Sequence, residues 1–475
     1  MLFNSFSFAI FLPIVYLLYW YLSPRKLSTQ NLLLLVASYF FYACWDWRFL
    51  FLLLFSTLLD FFSGIKIHQT KRKKLWLWIS IIINVGLLGV FKYYNFFTES
   101  FVQALSEFGF KVNPMTINVI LPVGISFYTF HGVSYVVDVY KGRIEPEKNF
   151  SNYALFVSFF PLLVAGPIER ATHLLPQIKK TRVLNYEQSI DGLKQILWGL
   201  FKKIVIADNC AVLVNEVFSS PQAHTGSDLA VAAVLFAFQI YCDFSGYSDI
   251  ALGTARLFGI ELLKNFSYPY FSRDIAEFWR RWHISLSSWF KDYVYIPLGG
   301  SKQGIGMKIR NTFIIFLLSG FWHGANWTFI VWGALNAIYF LPLLLTNSNR
   351  NNLDIVAKGR RFPSLRELTG MLVTFGLTVL AWVFFRAENV GDAFSYLYHM
   401  FSYSLFAIPT ISAGKIAILI VFFVWIEWLG REENFAIKTI GSNWNSKWRY
   451  IFYHIIAISI FCFAGKEQQF IYFEF

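Results

Sequence analysis

Gly320 to Gly333 reads GFWHGANWTFIVWG, with the apolar run Phe313–Leu318 before it and an uncharged stretch, Trp327–Leu344, that begins within it. Runs of this length and continuity belong to membrane-spanning helices, because backbone groups at membrane depth must be satisfied within the segment. One imidazole, His323, sits inside this stretch. An ionisable group at such depth is costly and defaults to a functional hypothesis. Gly320 and Gly324 flank it and permit a turning or broken backbone, tolerated at depth where it faces protein or a water-filled cavity. The residues alone leave a second reading open: a histidine satisfied by hydrogen bonds in a helix bundle, or one in an interfacial loop beside Trp322 and Trp327.

Composition agrees with the first inference. Of 475 residues, 56% are hydrophobic, 20% aromatic and only 15% charged, against about 25% charged in soluble domains. A spanning β-barrel would alternate apolar and polar residues, whereas these apolar runs are continuous. The expectation is an all-α polytopic membrane protein, with residues 1–475 forming one integral-membrane domain. The formal net charge of +13 lies between apolar spans, a distribution that suits cytoplasmic loops and anionic lipid headgroups and not nucleic acid. Cys44, Cys210, Cys242 and Cys462 are dispersed without ligand-like spacing, so neither a disulfide framework nor a metal site is expected. The segment Phe6–Tyr21 lacks a basic n-region and a cleavage site and reads as a retained first helix.

Spans are expected at residues 5–22, 30–45, 49–65, 75–94, 118–139, 368–385, 415–430 and 450–463, besides the hydrophobic stretches around His323. Lys and Arg cluster after the first and third spans, which places the N-terminus outside and the loops at 66–74 and 141–151 in the cytoplasm. The segment 95–112 mixes phenylalanines with polar residues and reads as interfacial. His131 and Asp138 are ionisable groups within the fifth span. Phe156–Arg170, FVSFFPLLVAGPIER, is short and interrupted by Pro161 and Gly166–Pro167; it reads as a re-entrant segment or a true span. A long helix at 187–217 carries Lys202 and Lys203, expected to snorkel to an interface.

Polar residues then concentrate in two places. The helix expected at 228–258 contains QIYCDFSGYSDIALG, with Asp243 and Tyr247 as candidate supporting residues. Its acidic groups would pair with the Arg and Lys residues of the next stretch, or line a polar cavity. That next stretch, Phe271–Gly300, interleaves Arg273, Arg280, Arg281 and Lys291 with Trp279, Trp282 and Trp289. Such a pattern suits an amphipathic interfacial helix and equally a site for an anionic donor such as coenzyme A. Arg280, Arg281, Trp282 and Lys291 are the donor-binding candidates. His283 lies among them. The run GGSKQGIG lacks the Gly-Lys-Ser/Thr ending of a phosphate loop and reads as a turn.

Taken together, WRRWHISLSSWF followed by YIPLGG, then FWHGANWTFIVWG and AWVFFRAENVGDAF, resemble the bacterial membrane-bound O-acyltransferase family, as do QIYCDFSGYSDIALG, LPVGISFYTF and FPLLVAGPI. The resemblance covers most of the chain in order and is nearest to the alginate and peptidoglycan O-acetyltransferase branch; the D-alanyl transfer protein of the teichoic acid pathway is a more distant relative. It implies a fold of about 11 transmembrane helices plus re-entrant and interfacial helices, with funnels from both faces meeting near the catalytic residue. It also implies that His323 is the catalytic histidine and His283 a second motif residue on the cytoplasmic side.

The chemistry that the resemblance implies is acyl transfer from an activated thioester, most simply acetyl-CoA, to a hydroxyl. No bound cofactor or metal is required. A neutral imidazole suits a general base, a role worth about 10²–10⁴-fold, and burial of His323 among Phe321, Trp322 and Trp327 would favour the uncharged ring. Asn326 is a candidate oxyanion donor. The acceptor would be an exported or cell-wall polysaccharide, and the location a bacterial cytoplasmic (inner) membrane. D-alanyl transfer to teichoic acid is the alternative reaction. A transporter would also hold buried His and Asp, but no inverted repeat is evident; a scaffold for a catalytic partner is the third reading.

The chain ends in FIYFEF, too short to span and rich in aromatic residues. It reads as an interfacial anchor. Resemblance to related acetyltransferases implies an acyl carrier instead, with the Tyr472 hydroxyl receiving the acyl group and passing it to an extracytoplasmic serine-dependent acetyltransferase.

Overall fold

The computed structural model of the chain describes residues 1–22, 26–110, 112–117, 120–163, 166–302, 304–465, 468, 470 and 471. Tyr472 lies outside the described residues. Every regular element among those described is helical. Phe6–Leu22, Leu27–Asp46 and Arg48–Gln69 follow the first three expected spans. The fourth, Lys73–Leu88, continues through a π-helical turn at Gly89–Tyr93 into Tyr94–Glu107. The expected separate interfacial segment at 95–112 is therefore, as far as Glu107, the far end of that helix. No proline separates the two parts, so the backbone ladder adjusts by one wide turn and continues.

The segment expected to be interrupted at Pro161 and Gly166–Pro167 breaks earlier, at Phe159, and Pro161 lies inside the short helix that follows. Two short helices, Phe150–Ser158 and Phe160–Leu163, meet at Phe159, whose ψ of 114° breaks the ladder. Among the described residues, neither approaches the roughly 20 residues that cross a bilayer. Among the described residues, six helical runs are long and apolar enough to cross, Gly226–Leu257, Trp327–Leu345 and Leu365–Arg386 among them. The chain is thus a multi-pass, all-helical membrane protein.

Its residues cluster into two compact units, one comprising residues 1–193 with 251–263 and the other 194–250 with 264–475. In the first, Arg48–Gln69 packs on Lys73–Leu88 and Ile125–Tyr140. Asp60, 1% exposed, accepts hydrogen bonds from Ser80 (2.6 Å) and Asn84 (2.8 Å). The ionisable residues of the fifth expected span are engaged there structurally. The Glu169 backbone N–H donates to His131 Nε2 at 3.0 Å, and Asp138 pairs with Arg143 at 2.9 Å.

The second unit holds every candidate site residue that is described. Its helices Gly304–His323 and Trp327–Leu345 form a tight hairpin. Two glycines let the backbones touch: a Cβ on Gly320 would lie 2.2 Å from the Phe329 carbonyl oxygen, and one on Gly333 would lie 2.4 Å from that of Phe316. Close approach without a side chain is the reason for glycine at both positions.

Lys202 and Lys203 do not snorkel. They are 3% and 1% exposed and lie in a π-helical segment, Phe201–Ala207, that follows Tyr186–Leu200. Lys202 pairs with Asp249 at 2.5 Å, and Lys203 with Asp208 (2.7 Å) and Asp243 (2.9 Å). Asp243 and Asp249 of Gly226–Leu257 thus meet lysines that precede them in the chain, not the Arg and Lys residues that follow. The wide π turn is one cause. The other is a crossing at Gly199, where an added Cβ would stand 2.6 Å from the Gly246 carbonyl oxygen. Buried charges persist only when paired, and here both lysines are.

Candidate functional site

His323 is the last residue of Gly304–His323, where the ladder ends, and is 3% exposed. Asn326 starts the next helix: its side-chain oxygen accepts the Thr328 N–H at 3.0 Å, an N-cap, and its amide donates to the Glu388 carbonyl at 2.7 Å. The amide proposed for an oxyanion thus already holds the turn that follows His323. The imidazole stands among Trp322 (centroids 4.8 Å apart), Trp332 (5.1 Å) and Phe385 (5.2 Å). Trp327, expected to help bury it, is itself 54% exposed, and Trp332 from the hairpin's return packs edge-on against the ring.

His283 occupies a second break, between the helices Ile275–Arg281 and Ile284–Phe290. Its φ of 42° is left-handed, a conformation that costs a non-glycine residue about 1–3 kcal/mol and persists only where the surroundings impose it. Asn265, 1% exposed, imposes it. The Ile284 N–H donates to the Asn265 carbonyl at 2.8 Å, and Ser285 Oγ donates to Asn265 Oδ1 at 2.6 Å. Asn265 Nδ2 in turn donates to Ser248 Oγ at 3.0 Å. The His283 ring lies 4.7 Å from Phe244 and 5.9 Å from Trp322. Both histidines therefore touch Trp322.

The basic residues around His283 divide into two groups. Arg281 pairs with buried Glu277 at 2.8 Å, and Arg273 joins Glu277 (3.0 Å) to Asp354 (2.9 Å). Arg280 donates to the carbonyls of Asn349 (2.8 Å) and Asn352 (2.7 Å). Arg280 and Arg281, expected to hold an anionic donor, instead tie down the polar loop after Trp327–Leu345. Trp282 is 1% exposed and packed against Tyr241, Phe266, Phe278 and Trp382. Lys291, by contrast, is exposed and faces open space.

That space is a cavity of ≈1060 Å³. Lys291, Lys302, Lys308 and Arg350 line it together with apolar Trp279, Ile315, Phe316, Phe340 and Leu344. The GGSKQGIG turn contributes Gly299 to Lys302 to its wall. Trp279 connects the cavity to the first histidine: its ring lies 5.7 Å from Trp332, which stands against His323. Asp243 and Tyr247 lie away from this cavity, in contact with Ile471 and Phe470 of the tail. No group of three or more metal-ligating side chains occurs among the described residues.

The sequence singled out both histidines as candidates, but not Asn265, Trp332 and Phe385, which the structure packs around them. Asn265 carried a weak signal, as an asparagine four residues before Pro269 in a turn-rich stretch. The two aromatic residues carried none, since apolar helices contain many like them.

Comparison with known proteins supplies the chemistry. The family model for MBOAT, the membrane-bound O-acyltransferase family, matches residues 147–363, a range that includes both histidines. The chain is 38% identical over 439 residues to the probable alginate O-acetylase AlgI of Pseudomonas putida, covering 90% of this chain and 87% of that one. It is 39% identical over 431 residues to the peptidoglycan O-acetyltransferase of Helicobacter pylori, with 84% and 79% covered. A teichoic acid D-alanyltransferase of Streptococcus thermophilus is 29% identical over 317 residues, with 61% and 75% covered. The transporter and scaffold readings give way to an enzymatic one: this chain belongs to the membrane-bound O-acyltransferase family.

Proposed function

We propose that this protein transfers an acetyl group from a cytoplasmic acyl thioester, acetyl-CoA in the simplest case, for O-acetylation of an exported or cell-wall polysaccharide, in the cytoplasmic membrane of a bacterium. The observation that carries the proposal is the juxtaposition of His323 with the cation-lined cavity through Trp332 and Trp279. Four cationic side chains suit the phosphates of the donor, and the apolar wall suits its acyl arm.

His323 acts as the general base. It takes the proton of an acceptor hydroxyl while the oxygen attacks the thioester carbonyl; the C–O bond forms, the C–S bond breaks, and the thiolate leaves to collect a proton. Holding both reactants in place supplies much of the remaining acceleration. His283, fixed in its strained turn by Asn265, orients the donor or the wall beside it. The named activities of the O-acetylating relatives favour acetyl over D-alanyl as the group moved.

The first acceptor is the phenol of Tyr472. A phenol, with a pKa of about 10, is easier to deprotonate than an aliphatic alcohol, and its ester passes the acyl group onward readily. The onward acceptor is an extracytoplasmic serine-dependent acetyltransferase that acts on the polysaccharide. Intact-protein mass spectrometry after incubation with acetyl-CoA tests this reading. One added acetyl group on Tyr472, absent from Tyr472→Phe, is the expected result. Acetyl turnover that is equal in Tyr472→Phe and the native chain would remove Tyr472 from the reaction.

A further inference from the structure

Two side chains of the second unit reach the main chain of the tail. Lys203 Nζ donates to the Gln468 carbonyl at 3.2 Å. The Ile471 N–H donates to Asp243 Oδ2 at 2.8 Å. Between these two contacts Phe470 is fully buried, with its ring 4.5 Å from Tyr247 and 6.0 Å from Phe244. Phe244 is the ring that also stands 4.7 Å from His283. The slot for Phe470 and the surroundings of His283 therefore share one wall.

Lys203 and Asp243 bond each other at 2.9 Å, and Asp208 holds Lys203 from another side at 2.7 Å. An ion pair this deep would be self-sufficient as a structural tie. Here each partner also reaches the tail, one through a carbonyl and the other through an N–H. Main-chain contacts of this kind fix register without reading side chains, and an enclosed aromatic slot adds selectivity.

We infer that Lys203 and Asp243 form a buried clamp that receives the main chain of the C-terminal tail and sets its register, with Phe470 as the residue the slot selects. They are positioning residues. Tyr472 is the next residue of the sequence after Ile471. The clamp stands on the contacts themselves; its consequence for acyl transfer rests on the reading of Tyr472 as carrier.

The test uses the full chain with Ile471→Cys as reporter and the exposed Cys44 and Cys462 replaced by serine. Ile471 is 3% exposed, so a small thiol reagent should label the introduced thiol slowly. Asp243→Ala or Lys203→Met should raise the labelling rate at least about tenfold. Asp243→Asn keeps an acceptor for the Ile471 N–H and should raise it much less. Equal rates in all variants that remain folded would overturn the clamp. For the case in which the variants fail to fold, hydrogen exchange at the Ile471 amide of the native chain gives a second readout: slow exchange is expected, and exchange at the rate of an unprotected amide overturns the proposal. Acyl transfer separates the two readings. A fall in kcat with unchanged donor KM in the tail-releasing variants links clamp and chemistry. Fast labelling with undiminished transfer leaves the clamp standing and overturns the carrier.

Discussion

Trp332 stands edge-on to His323, ring centroids 5.1 Å apart and planes at 88°. This arrangement limits the rotation of the imidazole on the side that leads through Trp279 to the cavity. Trp332→Leu should therefore lower kcat by about 10- to 100-fold, the effect of a misplacement of about 1 Å, with a smaller change in donor KM. Steady-state kinetics on purified protein would check it; an unchanged kcat would mean that the imidazole is held by other groups.

The hairpin that carries His323 depends on two backbone contacts. Gly320→Ala or Gly333→Ala would set a methyl group 2.2 or 2.4 Å from a carbonyl oxygen, and backbone cannot move aside as a flexible side chain would. Overpacking of this kind costs about 1–3 kcal/mol. A lowered unfolding temperature is expected for both variants, measured by tryptophan fluorescence in detergent. Gly376→Ala, where nothing lies within 4 Å, is the control and should leave stability nearly unchanged.

Donor binding should respond to charge at the cavity and not at the paired arginines. Replacing Lys302 and Lys308 together by serine should raise the KM for a coenzyme A thioester several-fold and flatten its dependence on salt, with kcat nearly preserved. Arg281→Ala should act differently, because it leaves the buried Glu277 carboxylate short of a partner. Arg273 still pairs with Glu277, so the cost stays below the about 3–5 kcal/mol of a fully uncompensated buried charge, and a reduced folding yield is expected before any specific effect on KM.

Outside the spanning helices, one ion pair gives a pH signature. His173 is held above its usual range chiefly by its hydrogen bond to Glu169, at 2.8 Å. A raised folded-state pKa contributes stability that is fully present below the unfolded value of about 6.5 and is lost as pH rises through the folded value. His173 is about one-third exposed, so solvent screening keeps the contribution below about 1 kcal/mol. The stability difference between the native chain and His173→Gln should be largest near pH 6 and shrink above pH 8. A difference that grew with pH would contradict the pairing.

The candidate histidines stood out because their signals are local. The break after His323 was written in Gly324, whereas the break at His283 was not, since the interleaved basic and aromatic residues of Phe271–Gly300 read as one amphipathic helix and the structure divides it at His283. The neighbours that fix them were not legible, since Phe385 and Asn265 reach the histidines only through packing of distant segments. Lys202 and Lys203 were misread for a physical reason: a lysine in an apolar helix looks alike whether it snorkels or pairs. What decides is a π turn and a glycine crossing that sequence periodicity does not reveal. Arg280 and Arg281 looked like an anion site for a similar reason, because interleaved basic and aromatic residues do not state whether their partner is a ligand or a loop.

The central claim is that His323 removes the proton from the acceptor hydroxyl. The most direct measurement is single-turnover acetyl transfer by purified His323→Ala, with folding confirmed by gel filtration and an unfolding temperature near that of the native chain. A rate lower by about 10²–10⁴-fold, at unchanged donor affinity, is expected. A rate within a few-fold of native would contradict the account and leave His323 a packed, structural residue of the hairpin.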